Sequence, residues 1–134
     1  MKLNLGSGEF RLEGCINIDI RDLPEVDLVY DLNQGLPFGD GIVDSVVASH
    51  VLEHLANPHF ILSEICRVCK SDATVEIRVP LYQVWQEDHL TCFYPEWFIR
   101  NCPDWEIVDT VLETVPNIRG DEYQQMTVFM GPRL

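Results

Sequence analysis

Lys2-Leu3-Asn4-Leu5-Gly6-Ser7-Gly8, followed by Ile16-Asn17-Ile18-Asp19-Ile20, is the stretch whose reading decides the fold. It reads as a short strand, a glycine turn, a loop, and a second strand that ends near an acid. Glycines at the carboxyl end of a strand let the backbone approach a ligand, because no Cβ stands in the way. An acid at the end of the next strand can accept hydrogen bonds from both hydroxyls of a ribose. Together these features suggest a site for a nucleoside-bearing cofactor at the carboxyl edge of a parallel sheet. A glycine turn between two strands also occurs as a purely structural element, so the rest of the chain has to decide.

Outward from that stretch, strands are expected at 3–5, 15–20, 27–31, 42–48, 73–79, 105–112 and 125–130. Helical spacing of Val51, Leu52, Leu55, Phe60, Ile61, Ile65 and Val68 marks a helical segment. Asn57-Pro58 divides it, with Asn57 as N-cap and Pro58 at the first helical position. A short helix near 50–55 and a longer one near 58–69 follow from this, and a third short helix is expected near 95–101. The order is β-β-β-β-α-β-α-β-β, an α/β arrangement. Strands sandwiched on both faces read as continuous apolar runs. Here Leu3 and Leu5 flank Asn4, Ile16, Ile18 and Ile20 alternate with Asn17 and Asp19, and Val75, Ile77 and Val79 alternate with Glu76 and Arg78. Alternation means one apolar face and one polar face. Connections too short for crossover helices link the first three strands. The two observations agree on an α/β fold with one sheet face largely lacking helices, left to solvent or to a second subunit.

A chain of 134 residues is read as a single domain over 1–134. No apolar run is long enough to span a bilayer. With the first strand starting almost at Met1 there is no charged-then-apolar leader, so a cytoplasmic protein is expected. Nine Lys and Arg against 22 Asp and Glu give a net charge of −13. Such a surface disfavours nucleic acid and anionic membranes as partners. The five cysteines are read as free thiols. Cys66-Arg67-Val68-Cys69 has no second pair at zinc-finger spacing, and reads as two half-buried helix thiols.

The order of motifs resembles the class I S-adenosylmethionine-dependent methyltransferases. Leu3-Asn4-Leu5-Gly6-Ser7-Gly8, Ile18-Asp19, Asp31-Leu32, Leu36-Pro37-Phe38 with Asp44, and Ala48-Ser49-His50-Val51-Leu52-Glu53-His54-Leu55 carry the resemblance. Glu64 to Val68, Val79-Pro80, Asp88-His89-Leu90 and Phe93-Tyr94-Pro95-Glu96 extend it over nearly all of the chain. The nearest group is the small methyltransferase-like proteins often found with glycan-related genes. The resemblance implies a Rossmann-like sheet of seven strands, mostly parallel, and S-adenosylmethionine as cofactor. It implies that Leu5, Gly6, Ser7 and Gly8 form the loop under the cofactor's amino-acid tail. By the same resemblance Asp19 would hold the ribose hydroxyls, Asp31 would sit by the adenine amino group, and the Leu32 backbone would lie beside the ring. Ser49 and His50 would lie near the methionine end. The chain departs from the family in lacking a helix before the first strand and another after the glycine loop. S-adenosylmethionine has no phosphate, so losing that helix N-terminus harms its site less than it would harm a dinucleotide site.

Each residue has a plainer reading beside the functional one. Asp19 can be a polar strand end, Asp31 can cap the turn before Asn33, and His50 can be a satisfied structural histidine. Asp44 reads as a tether for the loop before the fourth strand. His89, beside Glu87 and Asp88, is the better candidate base for an acceptor hydroxyl, with His50 the other. Tyr82 and Trp85 could line an acceptor pocket or pack in the core. His50 and His54 stand four apart with no further ligand set evident, and Glu53 is not placed between two ligands in the HExxH manner, so no metal is expected.

The expected function is methyl transfer by in-line displacement to a small-molecule or glycan-type acceptor. Such chemistry asks the protein mainly to align the acceptor, and asks for a base only if the acceptor is protonated. The alternative is a catalytically silent S-adenosylmethionine-binding or assembly module, with the bare sheet face used for pairing into a homodimer. A nicotinamide dehydrogenase is a weak third reading. Gly6-Ser7-Gly8-Glu9-Phe10-Arg11 lacks the third glycine of GxGxxG, and Asp19 follows too soon.

Overall fold

The computed structural model describes residues 1–82, 89–117 and 119–133. Seven strands form one sheet: β1 (Lys2–Leu5), β2 (Ile16–Asp19), β3 (Leu28–Val29), β4 (Val43–Ser49), β5 (Cys69–Pro80), β6 (Trp105–Pro116) and β7 (Glu122–Pro132). Their spatial order is β3-β2-β1-β4-β5-β7-β6. The first five in that order run parallel to their neighbours, and β7 is antiparallel to both β5 and β6. The sheet reverses direction of travel between β1 and β4, so the carboxyl ends of β1, β2 and β4 open onto one crevice.

Alternation explains the layering. Leu3, Leu5, Ile18, Val46, Ala48, Val75, Ile77, Val79, Met126, Val128 and Met130 all belong to one buried core. The same core takes Ile61, Leu62, Ile65 and Val68 from helix α1 (Pro58–Val68), and Trp97 and Phe98 from helix α2 (Trp97–Asn101). Asn57 caps α1, its side chain accepting from the Phe60 N–H at 3.2 Å, and Pro58 opens the helix. Phe93, Trp97 and Phe98 form an aromatic cluster, with ring centres 4.8, 4.9 and 5.7 Å apart.

The interleaved residues make the other face polar. Arg78 Nε donates to Thr127 Oγ1 at 3.2 Å, and Arg78 Nη2 lies 3.7 Å from Glu76. Over β1 and β2 a loop replaces the helix that is missing from the sequence. Asn4 Nδ2 donates to the Phe10 carbonyl and to Asn17 Oδ1, both at 2.9 Å, and the Leu12 N–H donates to Asn17 Oδ1. Two asparagines are thus buried with their hydrogen bonds made. The turn-rich segment before β4 is held from α1. Arg67 donates to the carbonyls of Leu36 and Phe38 and to Asp40 and Glu64, while Glu64 accepts from the Leu36 N–H. Asp44 lies in β4 and is held by Lys70 Nζ at 2.8 Å.

The element order agrees with the expectation from sequence, and several boundaries do not. β3 shrinks to two residues, since only Leu28 and Val29 find partners on β2. The helix expected at 50–55 is a single 3-10 turn, Leu52–His54, because His50 is left-handed (φ 55°) and cannot be helical. Cys66 lies on α1, but Cys69 is the first residue of β5, not a helix thiol. Both are free, and burial pushes the Cys69 thiol up to about 12, the opposite of a reactive thiolate. β6 and β7 outrun the expected 105–112 and 125–130. Their outer ends form an edge hairpin whose polar, exposed residues carry little apolar signal.

Candidate functional site

The Gly6-Ser7-Gly8 turn leaves β1 with both glycines left-handed, at φ 62° and 51°. A Cβ on Gly6 would stand 2.6 Å from Val51 Cγ2, and one on Gly8 would stand 2.8 Å from Arg21 Nη2. A side chain at Gly6 is therefore refused twice, by φ and by space, and one at Gly8 is refused by φ, since the Arg21 side-chain end can move aside. The Ser7 N–H donates to the Ile18 carbonyl at 3.0 Å, which ties the turn to β2. The Ser7 hydroxyl is buried and has no hydrogen-bond partner.

Asp19 ends β2 and is 6% exposed. Its Oδ2 accepts from the Gly8 N–H at 2.8 Å, and its Oδ1 accepts from the Arg21 N–H and from Arg21 Nε at 2.9 and 3.2 Å. Burial pushes this carboxyl up, but the hydrogen bonds from Arg21 and Gly8 outweigh burial and hold it below its ordinary value. Asp19 is thus an ionised carboxylate that fixes the glycine turn.

A cavity of about 760 Å³ opens between this turn, the end of β4 and the polar face of the sheet. Gly6, Ser7, Gly8, Arg21, Ser49 and His50 line it, with Asn4, Glu76 and Arg78 from the sheet. The structure therefore brings Gly6, Ser7, Gly8, Ser49 and His50 to one space, with Asp19 behind the turn. Leu5 is fully buried in the core and Leu32 is 5% exposed, so their side chains serve packing. Asp31 takes up the capping role that sequence left open, its Oδ1 accepting from the Asn33 N–H at 2.9 Å.

His50 stands at the meeting of two cavities. It also lines a second one, of about 670 Å³, together with Glu53, His54, Tyr82, His89, Asp121, Tyr123 and others. Its backbone N–H donates to the Arg78 carbonyl at 2.8 Å, and its Nε2 lies 3.1 Å from Gln125 Oε1. Its Nδ1 lies 3.6 Å from Glu53 Oε2, and its ring meets Tyr123 edge-on. Because His50 precedes the 3-10 turn in a left-handed conformation, it does not share a helix face with His54, as spacing alone suggested. His89 is half-buried, and its ring centre lies 4.9 Å from that of His54. The Leu90 N–H donates to the Glu53 carbonyl at 2.7 Å, which anchors this segment against the 3-10 turn. Trp85, Glu87 and Asp88 lie outside the described residues.

Gln125 and Tyr123 are residues that sequence reading passed over, and Glu53 is one it weighed only as a metal ligand and set aside. Glu53 left a signal: an acid inside the apolar run Val51-Leu52-Glu53-His54-Leu55, now 1% exposed. Gln125 and Tyr123 left none, because β7 reaches the site only through its pairing with β5.

The residues can be tested against the group that the glycine turn suggests. An unpartnered buried hydroxyl at Ser7, a left-handed glycine turn with no room for a Cβ at Gly6, and an ionised acid that locks the turn suit a ligand rich in polar groups lying on the turn. Among the described residues no helix is long and apolar enough to cross a membrane.

Residues 15–77 match a family model described as a methyltransferase domain. A sequence search of curated proteins finds no match. Solved structures similar to this chain share the fold at low identity. A SAM-dependent methyltransferase from Methanosarcina mazei is 13% identical, with a TM-score of 0.73 over 99% of this chain and 92% of its own. The Burkholderia thailandensis 1,6-didemethyltoxoflavin-N1-methyltransferase, with bound 1,6-didemethyltoxoflavin and S-adenosylhomocysteine, is 14% identical, with a TM-score of 0.74 over 99% of this chain and 71% of its own. The [4+2]-cyclase SpnF is 14% identical, with a TM-score of 0.71 over 99% of this chain and 74% of its own. The matched segment runs from β2 into β5, and the mixed seven-stranded sheet is common to these structures. The chain thus carries a methyltransferase-domain match over residues 15–77 and has the fold of these S-adenosylmethionine-dependent methyltransferase structures.

Proposed function

We propose that residues 1–134 form a single minimal methyltransferase domain that binds S-adenosylmethionine and presents its methyl group to a small-molecule or glycan-type acceptor in the cytoplasm. The observation that carries this reading is the Gly6-Ser7-Gly8 turn locked by Asp19, with the unpartnered Ser7 hydroxyl beside it. The cofactor supplies a methyl group on a sulfonium that leaves as a neutral thioether. Gly6, Ser7 and Gly8, with Leu5 leading into the turn, receive its amino-acid tail. Asp19 holds the ribose hydroxyls, Asp31 and the Leu32 backbone serve the adenine end, and Ser49 and His50 close the methionine end. The second cavity takes the acceptor. His89, or His50 where the two cavities meet, accepts the acceptor's proton when there is one to lose. Alignment by these walls supplies most of the catalysis, since the reaction needs little else from the protein. Titration of the protein with S-adenosylmethionine tests the reading.

A second reading, a catalytically silent binding or assembly module, has its own support. Both Asp19 oxygens already accept hydrogen bonds from the protein. In either reading two copies pair over the part of the helix-free face beyond the cofactor cavity, where Val111 and Phe129 stand beside Asp109.

A further inference from the structure

Glu53 is 1% exposed, yet its Oε1 has no hydrogen-bond partner. A buried carboxylate with an unmet oxygen is costly unless a cation or donor meets it. Two imidazoles stand where such a cation would be shared. His54 Nε2 lies 4.0 Å from Glu53 Oε2, and the Nδ1 of His89 is itself buried and without a partner. One ligand atom from each of Glu53, His54 and His89 falls within 4.8 Å of the others. Ligands held about 2.1 Å from one ion stand about 3–4 Å apart, so small side-chain movements close the set.

The geometry points to a divalent transition-metal site formed by Glu53, His54 and His89. Two neutral imidazoles and one carboxylate are the donor set of zinc-class ions rather than of magnesium or calcium, which prefer oxygen. Three protein ligands leave coordination positions open, and these face the 670 Å³ cavity. An oxygen bound there would be polarised by the ion, so the cavity favours ligands with a hydroxyl or carboxylate oxygen. The backbone bond from Leu90 N–H to the Glu53 carbonyl brings His89 to the other two ligands across 36 residues of sequence, which is why spacing alone did not show the set. The sequence expectation of no metal weighed His50 with His54 and found Glu53 not placed between two ligands; the left-handed His50 separates that pair, and the third ligand, His89, comes from another segment. The site lines the cavity proposed for the acceptor, where His89 held by the ion leaves the acceptor's proton to His50, and it stands apart from the cofactor cavity, so its test uses no cofactor.

The test is titration of the chelator-treated 134-residue protein with Co²⁺, followed by its visible ligand-field absorption, with Zn²⁺ as competitor. One equivalent of Co²⁺ binds with a nitrogen–oxygen spectrum, and Zn²⁺ displaces it. His89→Ala, on the loop side and least tied to folding, weakens binding at least about tenfold. His54→Ala and Glu53→Gln do the same, and circular dichroism confirms that each variant is folded. Cys66→Ser with Cys69→Ser leaves binding unchanged. Absence of one-equivalent binding, a sulfur-to-cobalt charge-transfer band, or unchanged affinity in folded His89→Ala overturns the assignment.

Discussion

Gly6 and Val51 are in direct opposition: a methyl group on the Gly6 Cα would stand 2.6 Å from Val51 Cγ2. The residue that opens the cofactor turn is thereby packed against the residue that follows His50. The turn after β1 and the turn after β4 are one structural unit, although 45 residues separate them.

Gly6→Ala is therefore expected to destabilise the fold by about 1–3 kcal/mol, the scale of a non-glycine residue forced into left-handed backbone and a clash. Gly14 is the comparison, since it is left-handed at φ 81° with nothing within 4 Å of its Cβ direction. Gly14→Ala should cost less, and Val51→Ala should recover part of the Gly6→Ala loss. Urea unfolding of the four proteins measures this. Equal losses at Gly6 and Gly14 would mean that Val51 does not press on the turn.

Acid should weaken the β2–β3 side of the sheet. Asp27 accepts from the Asn17 N–H, from Asn17 Nδ2 and from Arg11, and these bonds lower its pKa from 3.8 to about 2. A carboxyl depressed in the folded state contributes stability above its ordinary pKa, and that contribution is lost as pH falls through the folded value. Stability should thus fall between 3.8 and about 2. Asp27→Asn should be less stable at neutral pH and show a shallower fall in that window. Asp44, also held at about 2 chiefly by Lys70, keeps some slope in the variant. An unchanged slope in Asp27→Asn would remove this assignment.

Pairing over the helix-free face predicts twice the chain mass by light scattering at micromolar concentration. Phe129→Glu, at an exposed position on that face, should give the monomer mass. A monomer in the unsubstituted protein would contradict the pairing.

The fold was legible because its strands alternate. Leu3/Asn4/Leu5 and Val75/Glu76/Ile77 state both the strand and the bare face, and the short links around Gly6 and Pro24 leave no room for helices. The turn at Gly6-Ser7-Gly8 and the acid at Asp19 were legible for the same local reason. Legibility ended where partners are distant in sequence. His50 is a strand-to-turn residue in left-handed conformation because its N–H meets the Arg78 carbonyl and its ring meets Gln125. Periodicity carries neither contact. Asp31 was open between ligand and cap, and the Asn33 N–H supplies the cap. Glu53 was dismissed for the company it keeps in sequence. Its neighbour in space is set by the chain that returns at Leu90.

The most direct test of the cofactor reading is calorimetric titration with S-adenosylmethionine, with NAD as the comparison ligand and Asp19→Ala as the control. The account predicts saturable binding of S-adenosylmethionine, none of NAD, and a loss of about 1.5–3 kcal/mol in Asp19→Ala, the scale of hydrogen bonds to a charged group. Affinity unchanged in Asp19→Ala would contradict the ribose role. No binding by the folded protein would contradict the cofactor site itself, and would leave the glycine turn as part of an assembly module.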